Sequence, residues 1–261
     1  MSKLVEFENV SLIYDKEAVL EDVTFSISKG EHTLLLGANG SGKSSIIKLI
    51  ACEIYPSITA KKHKREIFSR TLWDINELRS HLGIVTNDLH NKFYFEAPKA
   101  SGLEVVLSGF FGTLGLFNHQ NITQKELEEA KDLMAKLSLT HLIQKEICTM
   151  STGELRRCIV ARAMVRGAKM LLLDEPTVGL DIKAQKEFML FVEEISKEAT
   201  ILLVTHHIEE IFEGIKQVLF IKDGKIYQSG TKEELITSQK LSHLFDTPLE
   251  VVKRGSRYSL H

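Results

Sequence analysis

Residues Gly37-Ala38-Asn39-Gly40-Ser41-Gly42-Lys43-Ser44 leave this chain few ways to fold. Glycines at 37, 40 and 42 let successive backbone N–H groups turn inward around an anion. Lys43 brings a mobile positive charge to β- and γ-phosphates, and the Ser44 hydroxyl is placed to ligate Mg²⁺. Thr33–Leu36, just before, reads as a short apolar strand, and Ser45–Ile50, just after, has helical spacing. Phosphates held there would rest on a helix N-terminus, where the dipole and free N–H groups favour negative charge. A merely structural glycine turn does not ask for this strand–loop–helix setting.

With 261 residues, 43% of them hydrophobic, the chain can build one large domain, or one domain with a small subdomain. A formal net charge of -2 gives no global reason to bind nucleic acid. Cys52, Cys148 and Cys158 form no CxxC pair and read as idle thiols of a reducing compartment. The N-terminus has no signal-peptide core, and no apolar run approaches the roughly 20 residues that cross a bilayer. These features predict a soluble, cytoplasmic chain that reaches a membrane only through a partner.

Along the chain, residues 4–13 and the cleanly alternating Val23–Ser28 predict antiparallel β structure at the start. Tyr14 falls in a polar turn ending near Ala18. It either stacks on an adenine ring or caps a strand end. The basic run Lys61–Arg65 reads as a solvated loop, with contact to anionic lipid or RNA as the alternative. A possible strand at Glu66–Phe68, a short helix from Asp74 through Arg79 and a buried strand at Leu82–Thr86 follow. Residues 88–148 read as a helical insertion. Within it Thr123–Leu137 is amphipathic, with Thr123 as cap and Glu126 completing a capping box. Phe110, Phe111, Leu114, Leu116 and Phe117 are either subdomain core or a docking surface for a partner helix. Beyond come a helix at Gly153–Val165, a strand at Met170–Leu173, a helix at Ile182–Lys197 and a strand at Ile201–Val204. A helix over 207–213, strands near 217–221 and 225–228, a helix over 231–245 and a hairpin around Gly255 complete the order. Apolar strands alternating with helices predict a parallel sheet covered on both faces.

Three strand ends then deliver chemistry. Asp174 ends an apolar strand, where a carboxylate can hold Mg²⁺ opposite Ser44. Glu175 is the next residue, projects differently, and can polarise an attacking water. His206 ends a neighbouring strand, where its ring can donate to a γ-phosphate. Each alone has an ordinary structural reading; together they converge as a site does.

At this point the sequence resembles the ATP-binding cassette (ABC) ATPases. Ser151-Thr152-Gly153-Glu154, followed by Arg156, Arg157, Ala161, Arg162 and Ala163, resembles their signature motif. Residues 170–175 resemble their Walker B motif, Gly179-Leu180-Asp181 their D-loop, Thr205-His206 their switch histidine and Tyr14 their adenine-stacking aromatic. Leu72–Ile75, Leu82–His90 and Val106–Phe111 are similar to molybdate- or iron-type importer ATPases and their stand-alone relatives. The resemblance implies an α/β fold: a P-loop NTPase (RecA-like) mixed sheet core with an N-terminal antiparallel β part and an inserted α-helical subdomain. One ABC ATPase domain would span 1–261, with core 1–87 and 167–230, helical subdomain about 88–166, and C-terminal helix and hairpin 231–261. It implies ATP and Mg²⁺ as ligands. The nucleotide would be bound by Tyr14, Gly37, Ala38, Asn39, Gly40, Ser41, Gly42, Lys43, Ser44, Ser45, Ser151, Gly153, Glu154 and Asp181. The metal would be bound by Ser44, Asn87 and Asp174. Glu175, His206 and Lys43 would carry catalysis. Two copies would pair head to tail around ATP, beside separate transmembrane permease subunits, peripheral on the inner face of the cell membrane. Direct nucleic-acid contact is not expected.

Two positions depart from the family pattern. The signature usually reads Leu-Ser-Gly-Gly-Gln, whereas here it is Met150-Ser151-Thr152-Gly153-Glu154. Asn87 stands where the family has a glutamine that reaches Mg²⁺; being one methylene shorter, it would need a bridging water. The expected function is the ATP-hydrolysing subunit of a transporter. The alternative is a stand-alone ABC ATPase acting on ribosomes or DNA, and a small-molecule kinase would have no use for the 151–154 motif.

Overall fold

The computed structural model describes residues 2–59, 61–117, 120–255 and 257–260. In chain order the strands are β1 (Lys3–Tyr14), β2 (Glu17–Ser28), β3 (Thr33–Leu36), β4 (Lys64–Ile67), β5 (Leu82–Val85), β6 (Met170–Asp174), β7 (Thr200–Thr205), β8 (Gln217–Lys222), β9 (Lys225–Thr231), β10 (Val251–Arg254) and β11 (Arg257–Leu260). The helices are α1 (Lys43–Ile50), α2 (Ile75–His81), α3 (Asn87–Glu96), α4 (Gly102–Phe111), α5 (Gln124–Lys136), α6 (Thr152–Met164), α7 (Ile182–Ile195), α8 (Lys232–Leu235) and α9 (Ser238–Phe245). They fall into two compact units, Met1–Ile75 with Thr200–His261, and Asn76–Ala199.

In the first unit, β1 pairs antiparallel with β2 and, on its other edge, with β4. The β1–β2 turn is Asp15-Lys16, both at positive φ, the geometry of a two-residue hairpin turn. Tyr14 is thus the last residue of β1, paired with Glu17, rather than part of a longer turn. The alternation of β2 works as expected: Val23, Phe25 and Ile27 are buried, and Phe25 packs on Phe7 at 4.9 Å. Strands β7-β3-β8-β9 lie side by side, the first three parallel and β9 antiparallel to β8. Every residue of β3 and β7 is buried, as parallel strands covered on both faces require.

The basic run is a solvated loop only at its start, where Lys61 and Lys62 are exposed ahead of β4. Lys64 and Arg65 belong to β4, Lys61 pairs with Asp22, and Lys64 pairs with Glu6 at 2.8 Å. Arg65 is 5% exposed and donates to the Leu49 carbonyl, where a cation meets the negative end of α1. The expected helix over 207–213 is only a 3₁₀ turn at Ile208–Glu210. Seven residues without a side-chain cap fall short of what an isolated helix needs, and Ile208, Ile211 and Phe212 are drawn into the core instead. The helix expected over 231–245 is two helices, because Thr231 caps α8 and Thr237 caps α9. The terminal hairpin β10–β11 forms as expected.

In the second unit, β5 and β6 are parallel, Leu82 opposite Met170 through Val85 opposite Leu173. Helices α3 to α7 belong to the same unit, and α6 packs against β5. The capping box of Thr123 and Glu126 forms at α5, and Ala130 and Met134 are its buried residues. Of the aromatic–glycine stretch, Phe110, Phe111, Leu114 and Leu116 are half-buried and Phe117 is exposed.

Candidate functional site

The first unit builds the phosphate loop between β3 and α1. Gly42 sits at φ 106 as the N-cap of α1 and supplies no side-chain cap, whereas α3 to α9 are all capped by a Ser, Thr or Asp oxygen. The amides at the start of α1 are therefore presented without an internal acceptor side chain. Gly37 lies so close to the end of β8 that a Cβ would stand 2.3 Å from the Ile221 carbonyl oxygen. A Cβ on Gly42 would stand 2.7 Å from the Leu20 side chain. Gly224, in the β8–β9 turn, donates to the Ser41 carbonyl at 3.1 Å. The loop is thus clamped between β2 and β8–β9.

Inside the loop, the Lys43 ammonium is buried and folds onto the Gly37 and Ala38 carbonyls at 2.8 and 3.0 Å. The Ser41 hydroxyl is buried with no hydrogen-bond partner among the described residues. A buried hydroxyl left unpaired is costly, and a phosphate oxygen would satisfy it. Ser44 is exposed at the loop's exit. His206 leaves β7 beside the loop: Leu36 is opposite Thr205, and the Gly37 N–H points at the Thr205 carbonyl at 3.4 Å. The His206 ring stacks on His207 at 3.9 Å. Tyr14, 49% exposed, ends the same hairpin whose Leu20 packs on Gly42.

The second unit gathers Asp174, Glu175, Asn87 and the signature. Asp174 ends β6, and Glu175 follows at φ 46, the left-handed region. That conformation costs a non-glycine residue on the order of 1–2 kcal/mol and persists only where its surroundings fix it. Here they include Asn87, whose Nδ2 donates to the Glu175 carbonyl at 3.4 Å, and Val178, whose N–H reaches the same oxygen at 3.3 Å. Arg156, 3% exposed on α6, donates to the Pro176 carbonyl, to the Val178 carbonyl at 3.1 Å and to Asn87 Oδ1 at 2.7 Å.

Ser151 is the N-cap of α6, and with Glu154 it closes a full capping box. Burial opposes the Glu154 charge. Lys145, 2.9 Å from both carboxylate oxygens, and Ser151 nevertheless hold the carboxyl below its usual range. Asp181 caps α7 by accepting from the Ala184 N–H at 2.9 Å. Ser151, Gly153, Leu180 and Asp181 line a 530 Å³ cleft together with His90, Tyr94 and Phe95 of α3. A Cβ on Gly153 would meet only Ala184 and Leu180, at 3.9 and 4.0 Å, so nothing within this unit requires a glycine there.

A family model described as ABC transporter matches residues 20–178. The zinc uptake system ATP-binding protein ZurA of Listeria monocytogenes is 34% identical over 98% of this chain and 95% of its own. An uncharacterized ABC transporter ATP-binding protein of Bacillus subtilis, YlmA, is 31% identical over 97% of this chain and 95% of its own. Among solved structures, cbiO1 from Clostridium perfringens, part of the ABC transporter complex cbiONQ, superposes with a TM-score of 0.76. It is 25% identical, with 93% of this chain and 94% of that one covered.

The chain belongs to the ABC transporter family, as an ATP-binding subunit. The ABC cassette is an ATPase, and the P-loop NTPase fold with an antiparallel N-terminal part and a helical part is the one described above. Of the residues the sequence put forward, the first unit of the cassette brings together Gly37 through Ser45, His206 and the Tyr14 hairpin. The second brings together Asn87, Glu175 and the signature helix. Three contributions went unread in the sequence. The Ser151–Glu154 capping box had a local signal, Ser-x-x-Glu, like the one recognised at Thr123. Lys145 had none, and Arg156 was read only as part of the signature resemblance, because each meets its partners only in the folded unit. Within the cassette, Cys158 is buried and its thiol is pushed up to about 12, which removes it as a nucleophile.

Proposed function

We propose that this chain binds Mg-ATP in the Gly37–Ser45 cradle, hydrolyses it, and uses the resulting opening and closing of a two-cassette sandwich to drive uptake of a metal ion or metal chelate through separate membrane subunits. The buried Ser41 hydroxyl, without a hydrogen-bond partner among the described residues, beside a helix start with no side-chain cap carries the reading, because both offer donors to an anion. Tyr14 stacks on adenine. The loop amides and Lys43 hold the phosphates, Lys43 exchanging its loop carbonyls for phosphate oxygens. Ser44 and Asp174 would hold Mg²⁺, which would supply charge neutralisation on the phosphates. Glu175 orients and polarises the attacking water, and His206 donates to the γ-phosphate.

Ser151 and the Gly153 N–H meet the γ-phosphate bound by a second copy, which explains a glycine that its own unit does not require. Among the described residues no helix is long and apolar enough to cross a membrane; the cargo path in this reading lies in the separate membrane subunits. Their association places this subunit at the inner face of the cell membrane. The names of the relatives support a metal cargo. A DNA-acting cassette of the coiled-coil type would need long heptads between the loop and the signature, where the longest helix among the described residues, α5, has 13 residues.

The test is hydrolysis by the purified chain with and without Glu175→Gln. Loss of turnover by about 10² or more, with ATP binding retained, is expected. A variant that turns over at the native rate would remove Glu175 from the mechanism. Cellular zinc and iron content after gene deletion checks the cargo class; unchanged content of both would reject it.

A further inference from the structure

Arg156 is a cation buried in the second unit, and the acceptors it is seen to use are the two carbonyls of the Pro176–Val178 turn and the side chain of Asn87. A guanidinium has no acceptor, so the amide of Asn87 must turn its oxygen toward Arg156 and its nitrogen toward the Glu175 carbonyl. The one atom of Asn87 that could ligate a metal already faces a cation at 2.7 Å, and a second cation on the same oxygen is opposed by charge. Asn87 and Arg156 together instead grip the strained Glu175 backbone from both ends of its turn. Arg156 lies on the second turn of α6, whose first residues are the signature.

We infer that Arg156 is a positioning residue for hydrolysis: with Asn87 as intermediary it fixes the Glu175–Val178 turn, so that the signature helix sets the place of the Glu175 carboxylate. The inference rests on Glu175 acting on water, as proposed above. It adds that a copy docking at Ser151–Gly153 reaches Glu175 of the same chain through Arg156. It also assigns Asn87 to the protein's own scaffold instead of to Mg²⁺.

The first test needs no turnover. In Arg156→Gln, amide hydrogen exchange of Val178 and Leu180, now bonded to Glu175 and Thr177, rises at least tenfold. The amides of β6 and the middle of α6 stay within threefold of native. Arg156→Lys behaves like Arg156→Gln, because one ammonium does not reproduce the guanidinium fork. In steady state, kcat falls at least thirtyfold while KM for Mg-ATP stays within threefold. Asn87→Ala, the milder variant should Arg156→Gln fail to fold, shows the same exchange change. It also lowers kcat in the native background but by less than twofold in the Arg156→Gln background.

Unchanged exchange at Val178 and Leu180 overturns the inference, as does kcat within threefold of native in Arg156→Gln. So does a tenfold weaker Mg²⁺ dependence of fluorescent ATP-analogue binding in Asn87→Ala, which would make Asn87 a metal ligand. Native turnover by Glu175→Gln with the exchange change intact is a different failure. It removes Glu175 as the group that acts on water and leaves the grip on its turn standing.

Discussion

Burial, and then the neighbouring Arg156 guanidinium, push His90 down to about 4, and its Nδ1 is buried with no hydrogen-bond partner among the described residues. The unfolded chain takes up that proton near 6.5, so between pH 6.5 and 4 the unfolded state binds more protons than the folded one. Stability from this group is full above 6.5 and is lost as pH falls toward 4. The difference amounts to about 2–3 kcal/mol. His90→Gln, which cannot take up the proton, should therefore show a shallower loss of stability on acidification. Urea unfolding at pH 7 and 4.5 measures it, and parallel losses in the two proteins would sink the assignment. Gly37 gives a second residue-scale expectation. A methyl at 37 has to displace the Ile221 carbonyl, so Gly37→Ala should cost about 1–3 kcal/mol in stability and weaken ATP binding at least tenfold. Thermal melts and equilibrium binding check the two halves separately.

At the scale of elements, α5 and α6 begin with the same capping box, Thr123 with Glu126 and Ser151 with Glu154. Removing either cap oxygen takes away one acceptor for a helix N–H and costs about 1 kcal/mol. Thr123→Ala and Ser151→Ala should thus be similarly destabilised. Only Ser151→Ala should lose ATPase, by about tenfold or more, because only that cap is proposed to face a nucleotide. Equal activity in the two variants would reduce Ser151 to a helix cap. The comparison also marks what the sequence can reveal. Caps, alternating strands and the phosphate loop are written within a few adjacent residues, and β2, α5 and the β3–loop–α1 unit were readable as such. The stretch over 207–213 was misread because its apolar spacing suits a helix, while Ile208, in a single 3₁₀ turn, and Ile211 and Phe212, just beyond it, serve the core. Arg65 was misread as solvated because its acceptor, the Leu49 carbonyl, lies sixteen residues back in the chain.

For the molecule as a whole, each unit presents an incomplete set of groups. The first holds the phosphate loop, His206 and Tyr14 but no carboxylate of the site. The second holds Asp174, Glu175 and a signature cleft whose Gly153 has no internal reason to be glycine. The family resemblance was legible because its motifs are short and ordered along the chain. The service each motif performs for another was not, since Arg156 must be folded against Asn87 and Val178 before the grip on Glu175 exists. If the signature cleft is completed by the nucleotide of a second copy, ATP is itself part of the interface, and pairing must depend on it. Glu175→Gln removes the carboxylate proposed to act on water while leaving the Glu175–Val178 turn, so it should hold Mg-ATP without consuming it. Sedimentation should then show a dimer with Mg-ATP and a monomer without nucleotide, with association at least a hundredfold weaker when Ser151→Arg fills the cleft. A Glu175→Gln chain that binds Mg-ATP and stays monomeric at high concentration would rule out the sandwich. A dimer indifferent to nucleotide would place the contact on some other face of the molecule.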